Sequence, residues 1–254
     1  SLHALDDMNS GIVIHARQLT KRFGAFTAVN KIDLDVRKGE IFGFLGANGA
    51  GKTTAIKMFI GLSRPSEGEA SVAGFDVYGQ SEDIKRNIGY MSQRFSLYND
   101  LTVTENIRFY GGVYGLDDTR LKQRTGRLIE ELGLQEHART LLSALPLGWK
   151  QKLAFSVALI HEPRIVFLDE PTGGVDPITR RQFWEMIYAA SARGVTVFVT
   201  THYMDEAEYC HRVSIMVDGV MAACDTPAAL KQRFNADSMD EVFYQLARRG
   251  KRSE

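Results

Sequence analysis

A glycine-rich segment that follows an apolar run places the tightest constraint on the fold of this chain. Residues 41–45 (Ile-Phe-Gly-Phe-Leu) are apolar on both faces, which is typical of a buried strand. Residues 46–54 (Gly-Ala-Asn-Gly-Ala-Gly-Lys-Thr-Thr) follow directly, and residues 52–60 show the spacing of a helix. The segment therefore predicts a strand, a loop and a helix, in that order, within an α/β protein.

The loop over residues 46–54, the phosphate loop, matches the G-x-x-x-x-G-K-[ST] pattern. Small residues let backbone N–H groups surround phosphate oxygens, and Gly49 adds a position that bends without a Cβ atom. Lys52 is expected to reach the β- and γ-phosphates, and Thr53 to offer its hydroxyl to Mg²⁺. A turn that only joins strand to helix is the alternative, but the flanking elements favour phosphate binding. The predicted ATP-binding residues of the loop are Gly46, Ala47, Asn48, Gly49, Ala50, Gly51, Lys52, Thr53 and Thr54.

A second apolar strand ends in two carboxylates. Residues 165–168 (Ile-Val-Phe-Leu) are followed by Asp169 and Glu170. This arrangement suits a hydrated Mg²⁺ and a polarised attacking water, with Asp169 on the metal side and Glu170 as the base or water-positioning group. Two ordinary acids at a strand end in solvent are the alternative. Together with the phosphate loop, the pair predicts a nucleotide hydrolase that uses Mg²⁺.

The rest of the chain divides by its pattern of apolar residues. Residues 12–19 and 29–36 cluster β-branched and apolar residues, and with residues 41–45 they predict an early antiparallel sheet. Residues 95–160 follow helical spacing with glycine and proline breaks, which predicts a helical insert. Strands at 165–168 and 195–200, a helix at about 177–191 and a further short helix restore the α/β alternation.

The predicted organisation has four parts. An ATP-binding α/β core with an antiparallel β subdomain takes residues 11–94 and 161–235, and a helical signature subdomain takes residues 95–160. Residues 236–254 are expected to form a C-terminal helix and a basic tail, for which a solvated end is favoured over contact with anionic lipid. Residues 1–10 are expected to be a disordered leader, left by cloning or by excision from a longer polypeptide.

Composition argues against several classes of function. The chain has 31 basic and 31 acidic residues, so no global field points to nucleic acid as a partner. Its longest apolar runs are strand-length, far below the roughly 20 residues that span a bilayer. Cys210 and Cys224 lack the spacing of a metal site and are expected to be reduced packing residues. These features fit a cytosolic setting.

The residues from Glu170 onward carry a resemblance to a known family. Glu-Pro-Thr at 170–172, Gly-Gly-Val-Asp at 173–176 and Thr-Thr-His at 200–202 follow in the order found in the nucleotide-binding domain of ABC transporters. The chain resembles that domain from about residue 12 to about residue 235. The resemblance implies the ABC ATPase fold, a P-loop NTPase core with an antiparallel β subdomain and an inserted α-helical subdomain.

The resemblance also implies roles for residues that carry little weight alone. Phe23 would stack on adenine, Gln93 would link Mg²⁺ and the water to the helical insert, and His202 would contact the γ-phosphate. Asp176 falls at the D-loop position. Taken alone, such a phenylalanine is more often a core residue, the glutamine a solvated loop residue and the histidine a structural one. The implied catalytic residues are Glu170, His202, Lys52 and Gln93, and the implied metal-site residues are Thr53, Gln93 and Asp169, in part through water.

The chain departs from the family at the signature. Where the family has Leu-Ser-Gly-Gly, this sequence has Leu145, Pro146, Leu147 and Gly148, so the serine and the first glycine are replaced. In this family the signature of one domain covers the γ-phosphate that its partner domain binds. Proline lacks a hydroxyl and a backbone N–H, donors worth about 1.5–3 kcal/mol each to a charged group. Because proline suits the first turn of a helix, the opposing site is expected to be weakened without being lost.

Two segments resemble one branch of the family. Residues 145–151 and 201–210 (Thr-His-Tyr-Met-Asp-Glu-Ala-Glu-Tyr-Cys) look like bacterial ABC-2-type export ATPases, in particular the second half of tandem two-domain proteins. This implies a peripheral subunit on the cytoplasmic face of the cell membrane. Its partners would be a second nucleotide-binding domain and transmembrane permease subunits, with the surface from Phe95 to about Gly115 meeting the permease.

Two other functions stay open on the sequence. A regulatory clamp that binds ATP and dimerises with little hydrolysis is suggested by Pro146 and Leu147, whereas Glu170 and His202 argue against it. A non-transport ABC ATPase that acts on ribosomes or DNA is compatible with the fold. The balanced charge and the lack of a basic linker weigh against that second alternative.

Overall fold

The computed structural model describes residues 11–93 and 97–251. The expected disorder of residues 1–10, the start of the helical block at Phe95 and the tail beyond residue 251 lie outside the described residues. The strands are β1 (Ile12–Phe23), β2 (Phe26–Arg37), β3 (Ile41–Gly46), β4 (Glu67–Val72), β5 (Phe75–Asp76), β6 (Ile88–Met91), β7 (Ile165–Asp169), β8 (Thr196–Thr201), β9 (Arg212–Val217) and β10 (Val220–Asp225). The α-helices are α1 (Lys52–Phe59), α2 (Ser81–Asn87), α3 (Val103–Val113), α4 (Asp118–Glu131), α5 (Leu147–Ala158), α6 (Pro177–Ala192), α7 (Pro227–Arg233) and α8 (Met239–Lys251), and 3₁₀-helices cover Gln135–His137, Leu142–Ala144 and Met204–Tyr209.

An antiparallel sheet forms from the N-terminal part of the chain. Its strand order is β2-β1-β4-β5, and β1 and β2 pair up to the turn, where Phe23 lies opposite Phe26. Ile14 and Ala16 on β1 are buried and Val13 and His15 less so, because successive side chains of a strand point to opposite faces. The predicted antiparallel β subdomain is confirmed.

A second sheet carries the candidate site. Its order is β10-β9-β3-β8-β7-β6, in which all neighbouring strands are parallel except β9 and β10. β3 therefore does not extend the antiparallel sheet, as the early run of strands predicted, but lies between β8 and β9. The reason is its composition. Every residue from Ile41 to Gly46 is buried, so the strand needs cover on both faces, which a central position in a parallel sheet provides.

Aromatic rings hold the central strands and α1 together. The ring centroid of Phe198 on β8 lies 5.3–5.8 Å from those of Phe42, Phe44, Phe59 and Phe167. Phe198 is fully buried, and burial of such a ring contributes about 1.5–3 kcal/mol to the free energy of unfolding. Because Phe59 belongs to α1 and Phe167 to β7, these contacts fix the helix that follows the phosphate loop against the strand that ends at Asp169.

Helices α3, α4 and α5 follow β6 and precede β7 in the chain. α3 begins with a capping box, in which the Thr102 hydroxyl accepts from Glu105 N and the Glu105 carboxylate accepts from Thr102 N. The buried side chain of Asn106 donates to Tyr98 O and Leu101 O and accepts from Tyr98 N. These bonds fix residues 98–102 to α3.

Helix α8 packs near the end of the core sheet. Its buried residues Met239, Val242 and Leu246 belong to the hydrophobic core, and the helix contacts β9 and the 3₁₀-helix Met204–Tyr209. Within residues 11–93 and 97–251, no helix combines the length and the apolar character needed to cross a membrane.

Candidate functional site

Four neighbouring parallel strands deliver the predicted catalytic residues to one edge of the core sheet. Lys52 follows β3, His202 follows β8, Glu170 follows β7 and Gln93 follows β6. These strands are adjacent in the order β3-β8-β7-β6. Since parallel strands end at the same edge of a sheet, residues that are far apart in the chain converge there.

The phosphate loop connects β3 to α1 in a conformation that requires glycine. Gly49 and Gly51 have φ angles of +84° and +103°, in the left-handed region. A Cβ atom at Gly51 would lie 2.5 Å from the carbonyl oxygen of Ala28 on β2. The loop thus fits closely against the antiparallel sheet. It leads into the N-terminus of α1, where free N–H groups and the helix dipole favour an anion.

The ammonium group of Lys52 is buried between two acceptors. Its Nζ donates to Gly46 O at 2.6 Å and to Glu170 Oε1 at 3.0 Å. Burial lowers the pKa of Lys52, and the hydrogen bond and charge of Glu170 oppose this shift only in part. An anion that reaches this ammonium therefore competes with Glu170 for it.

The Glu170 carboxylate is where the predicted catalytic residues meet. Oε1 accepts from Lys52 and pairs with His202 Nδ1 at 2.6 Å, and Oε2 accepts from Gln93 Nε2. Burial alone would raise the pKa of Glu170, but the hydrogen bonds from His202 and Lys52 outweigh it and hold that pKa below its usual range. Glu170 is therefore ionised at neutral pH, the form that can accept a proton from water.

The backbone of Glu170 adopts an uncommon conformation. Its φ is 48°, in the left-handed region, which costs a residue with a side chain about 1–2 kcal/mol. The Glu170 N–H donates to Thr200 Oγ1 at 3.0 Å, and Glu170 O accepts from Gly173 N at 3.3 Å. The neighbouring strand β8 thus holds the conformation in place. Such backbone strain is concentrated at functional sites.

Asp169 is fixed by two hydroxyl groups. Its Oδ2 accepts from Thr53 Oγ1 at 2.8 Å, and its Oδ1 accepts from Thr200 Oγ1 at 2.6 Å. Within the described residues no group of three or more His, Cys, Asp or Glu forms a metal cage. A carboxylate beside a threonine hydroxyl nevertheless fits Mg²⁺, which takes oxygen ligands and completes its shell with phosphate and water. Thr200, which the sequence reasoning gave no role, orients this carboxylate.

Phe23 lies outside the Glu170 cluster, at the end of β1. Its side chain is 55% exposed, and Lys21 Nζ lies 5.3 Å from its ring centroid. The exposure rules out the alternative that Phe23 is a core residue. The same hairpin carries Ala28, whose carbonyl lies beside Gly51 of the phosphate loop. An exposed aromatic ring on that hairpin leaves a face open for stacking.

The signature segment forms the start of α5. Pro146 is the N-cap residue, its carbonyl accepts from Trp149 N at 3.1 Å, and no side chain caps the helix. The sequence placed this proline in the first turn, whereas the structure places it one position earlier, where serine or aspartate would satisfy a free N–H. Leu147 is 47% exposed, and a Cβ atom at Gly148 would lie 2.4 Å from Thr179 Cγ2. Pro146 and Leu147 are therefore exposed and apolar, Leu145 is buried, and the start of the helix is uncapped.

Asp176 caps helix α6. Its carboxylate accepts from Thr179 N at 3.0 Å and from Thr179 Oγ1 at 2.6 Å, and these bonds lower the pKa of Asp176. A further bond runs from Gln151 Nε2 on α5 to Pro171 O at 2.9 Å. The signature helix is thus tied to the segment that follows Glu170, and the contact of Gly148 with Thr179 ties it to α6.

Comparison with known proteins identifies the family. The family model described as "ABC transporter" matches residues 29–173, more than half of the chain. The chain belongs to the ABC transporter family. It is an ATP-binding domain with the ABC ATPase fold, so the predicted family and fold are confirmed.

Several relatives of this ABC domain have names that refer to drug transport or resistance. The domain is 47% identical over 250 residues to the probable multidrug ABC transporter ATP-binding protein YbhF of Escherichia coli (strain K12). The matched region covers 96% of this chain and 43% of that protein. It is 36% identical over 231 residues to the linearmycin resistance ATP-binding protein LnrL of Bacillus subtilis (strain 168), covering 91% of this chain and 74% of that protein. The chain thus spans less than half the length of the first relative. A solved ATP-binding subunit of an ABC transporter matches with a TM-score of 0.82 at 28% identity, over 92% of this chain and 99% of that one.

We expect the low pKa of Glu170 to make a pH-dependent contribution to stability. The bonds from His202 and Lys52 favour the carboxylate in the folded chain, so the contribution is fully present above the ordinary value of 4.5 and is lost as the pH falls through the lowered folded value. Urea unfolding at pH 7, 5 and 4 should show the free-energy gap between wild type and Glu170→Gln narrowing only at pH 4. Glu130→Gln, at an exposed position on α4, is the control. A gap that stays constant to pH 4 would contradict the assignment.

Proposed function

We propose that this chain binds and hydrolyses ATP as the motor of an ABC-2-type exporter that moves its substrate through separate membrane subunits. The observation that carries the proposal is the convergence of Lys52, His202 and Gln93 on the Glu170 carboxylate, one residue after Asp169. The names of the multidrug and linearmycin-resistance relatives support export. The proposed location is the cytoplasmic face of the cell membrane, as a peripheral subunit.

In this proposal the phosphate loop and Lys52 bind the phosphates, and the exposed ring of Phe23 stacks on adenine. Thr53 and Asp169, which already share a hydrogen bond, would hold Mg²⁺ with Gln93 nearby. When bound, the ion neutralises charge on the phosphate oxygens. Lys52 would give up its bond to Glu170 for the γ-phosphate, which leaves an Oε1 lone pair of Glu170 free to face water.

Hydrolysis then depends on the position and charge of Glu170. Its carboxylate accepts a proton from the attacking water or orients that water, while Gln93 and His202 hold its two oxygens from either side. General base catalysis of this kind contributes roughly 10²–10⁴-fold to the rate. His202 would in addition contact the γ-phosphate.

The second proposed partner is another nucleotide-binding domain, either fused or separate. That domain would supply the signature for the Lys52 site, while Leu145–Gly148 of this chain face the partner's nucleotide. At that site Pro146 offers neither hydroxyl nor N–H, and the exposed side chain of Leu147 adds bulk. We therefore propose a pair of unequal composite sites, of which the one completed by this chain's signature is slower.

The proposed permease contact is the exposed apolar surface formed by Tyr98, Phe109 and Val113. These side chains are 47%, 45% and 64% exposed. The ring centroids of Tyr98, Phe109 and Tyr110 lie 5.3–6.0 Å from one another, and the bonds of Asn106 fix the backbone of Tyr98 to α3. Exposed apolar clusters of this kind mark contact sites. The surface begins five residues after Gln93, whose side chain donates to Glu170, so a partner bound there would lie close in the chain to a residue of the Glu170 cluster. Phe95, which was also expected to meet the permease, lies outside the described residues.

The central experiment compares ATP turnover of wild type with Glu170→Gln, in the full-length protein with its membrane subunits. We expect hydrolysis at the Lys52 site to fall by about 100-fold or more, so that total turnover drops to what the opposing site supplies. ATP binding should be retained, because the phosphate loop is unchanged. Equal turnover in the two proteins would instead support the regulatory clamp that Pro146 and Leu147 suggest. Salt-sensitive binding of RNA or DNA without membrane subunits would support the non-transport alternative.

The unequal-site proposal predicts that Pro146→Ser accelerates the opposing site. Serine restores a hydroxyl and an N–H, and it can cap α5, so turnover should rise severalfold to about tenfold. The measurement is made with Glu170→Gln in the same chain, so that only the opposing site hydrolyses ATP. Pro146→Ala restores the N–H alone and should give a smaller rise. Unchanged turnover with serine would show that this residue does not limit the opposing site.

The permease contact predicts that Phe109→Asp and Val113→Asp separate hydrolysis from transport. Each places a charge in an exposed apolar surface, so association with the membrane subunits and substrate export should be lost. Turnover of the detached chain should stay within about twofold, because neither side chain contacts the Glu170 cluster. Tyr244→Asp, at a 59% exposed aromatic on α8, is the matched control. Normal export by both variants would place the permease contact elsewhere.

A further inference from the structure

A second buried carboxylate lies outside the Glu170 cluster and takes no part in the proposed mechanism. Glu206 lies in the 3₁₀-helix that follows His202 and is only 1% exposed. Its Oε1 accepts from Thr201 Oγ1 at 2.7 Å and from Thr172 Oγ1 at 2.9 Å. Its Oε2 accepts from Trp184 Nε1 and lies 3.1 Å from Thr172 Oγ1. Both oxygens therefore accept hydrogen bonds from side chains of other segments.

The partners of Glu206 come from three segments that border the ATP site. Thr172 is two residues after Glu170, and Thr201 directly precedes His202. Trp184 belongs to α6, the helix that Asp176 caps. A single buried carboxylate thus joins the strand end that carries Glu170, the strand end that carries His202, and the helix that begins at the D-loop.

A second set of contacts reaches His202 from the same side. The Thr201 hydroxyl that donates to Glu206 also accepts from Tyr203 N at 2.9 Å. The ring of Tyr203 lies 4.1 Å from that of His202, and the guanidinium of Arg180 on α6 lies 5.2 Å from the Tyr203 ring. Arg180 Nε is 3.6 Å from Glu206 Oε2. Thr201, which precedes His202, therefore bonds to Glu206, and Tyr203, which follows His202, contacts Arg180, whose guanidinium lies beside Glu206.

Packing alone does not explain why a carboxylate is buried at position 206. Removing a carboxylate from water is costly, and well-packed apolar residues are often as stable as a buried charged group. A carboxylate differs from them in that its two oxygens accept several hydrogen bonds in fixed directions. Three hydroxyl and indole donors around Glu206 are thereby held in one arrangement.

We infer that Glu206 is a positioning residue for ATP hydrolysis, which keeps Glu170 and His202 at a fixed separation and ties both to α6 and its cap Asp176. The inference rests on the proposed hydrolysis. Glu206 itself does not reach the Glu170 cluster, since its bonds end at Thr172 and Thr201. Its effect on the reaction passes through these two threonines.

The test is Glu206→Gln in the full-length protein with its membrane subunits. The amide keeps the size of the side chain, but its NH₂ cannot accept a hydrogen bond. It therefore either opposes the Trp184 donor or reverses the bond to Thr201, and in both cases a charge-assisted bond to the carboxylate is lost. We expect kcat to fall roughly tenfold with KM for ATP within about twofold, because the phosphate loop is untouched. Turnover is divided by the number of ATP sites measured by equilibrium binding, so that unfolded protein does not lower the apparent kcat.

Glu208→Gln is the matched control. It lies in the same 3₁₀-helix, removes the same charge, and pairs with Lys231 at the surface, 43% exposed. Its kcat should equal that of wild type. A fall in kcat as large as that of Glu206→Gln would show that the charge of the segment matters and not the buried links, and would overturn the inference.

Thr201→Val provides a second route if Glu206→Gln does not fold. It removes the donor to Glu206 with little change in volume, and should lower kcat per ATP site to a similar degree. Combined with Glu206→Gln, its effect should be less than the product of the two single effects, because both variants act on the same hydrogen-bonded group around position 206. Wild-type kcat per site in both single variants, with only the melting temperature lowered, would assign Glu206 a structural role alone. A wild-type turnover no higher than that of Glu170→Gln would instead reject the proposed hydrolysis.

Discussion

The shared carboxylate of Glu170 is the interaction on which the rest of the site depends. It accepts from Lys52 and Gln93 and pairs with His202, so it orients side chains that follow three other strands. Without it, the buried ammonium of Lys52 would keep Gly46 O as its one acceptor in the cluster, and an unpaired buried charge costs about 3–5 kcal/mol. The side chains that we propose as catalytic therefore form one coupled unit, in which the Glu170 carboxylate and its hydrogen-bond partners stabilise one another.

The surrounding fold supplies the rigidity that this unit needs. The left-handed backbone of Glu170 is held by Thr200 on β8, and the stacked rings around Phe198 hold β3, β7, β8 and α1 together. Catalytic groups are positioned most accurately when they stand on such elements. The segments that we assign to partners lie elsewhere, on α3 and at the start of α5. The proposed catalytic side chains thus lie at the strand ends of the core sheet, and the proposed partner contacts lie on the helices between β6 and β7. Residues 170–176 and 201–206 connect the strand ends to α6.

The accuracy of the sequence predictions follows from how local each signal is. Lys52, Asp169 and Glu170 were predictable from short patterns, because a glycine loop or an acidic strand end has few chemical uses. Gln93 and His202 could be predicted only from the family resemblance, since a single residue after a strand can have many roles. In the structure both side chains bond to Glu170. The contacts of Thr200 and the role that we infer for Glu206 were missed because they depend on burial and on partners distant in the chain, which spacing does not show.

The sequence by itself determined the phosphate loop, the acidic strand end and the family, because these depend on which residues follow one another covalently. The tertiary structure alone decided that β3 leaves the antiparallel sheet, that β3, β8, β7 and β6 are neighbours, and that Pro146 occupies the N-cap of α5. It also decided that the Glu170 carboxylate bonds to the Lys52 ammonium, the His202 imidazole and the Gln93 amide. The physical reason is that strand order results from covering both faces of every apolar strand at once, and this is a property of the whole chain.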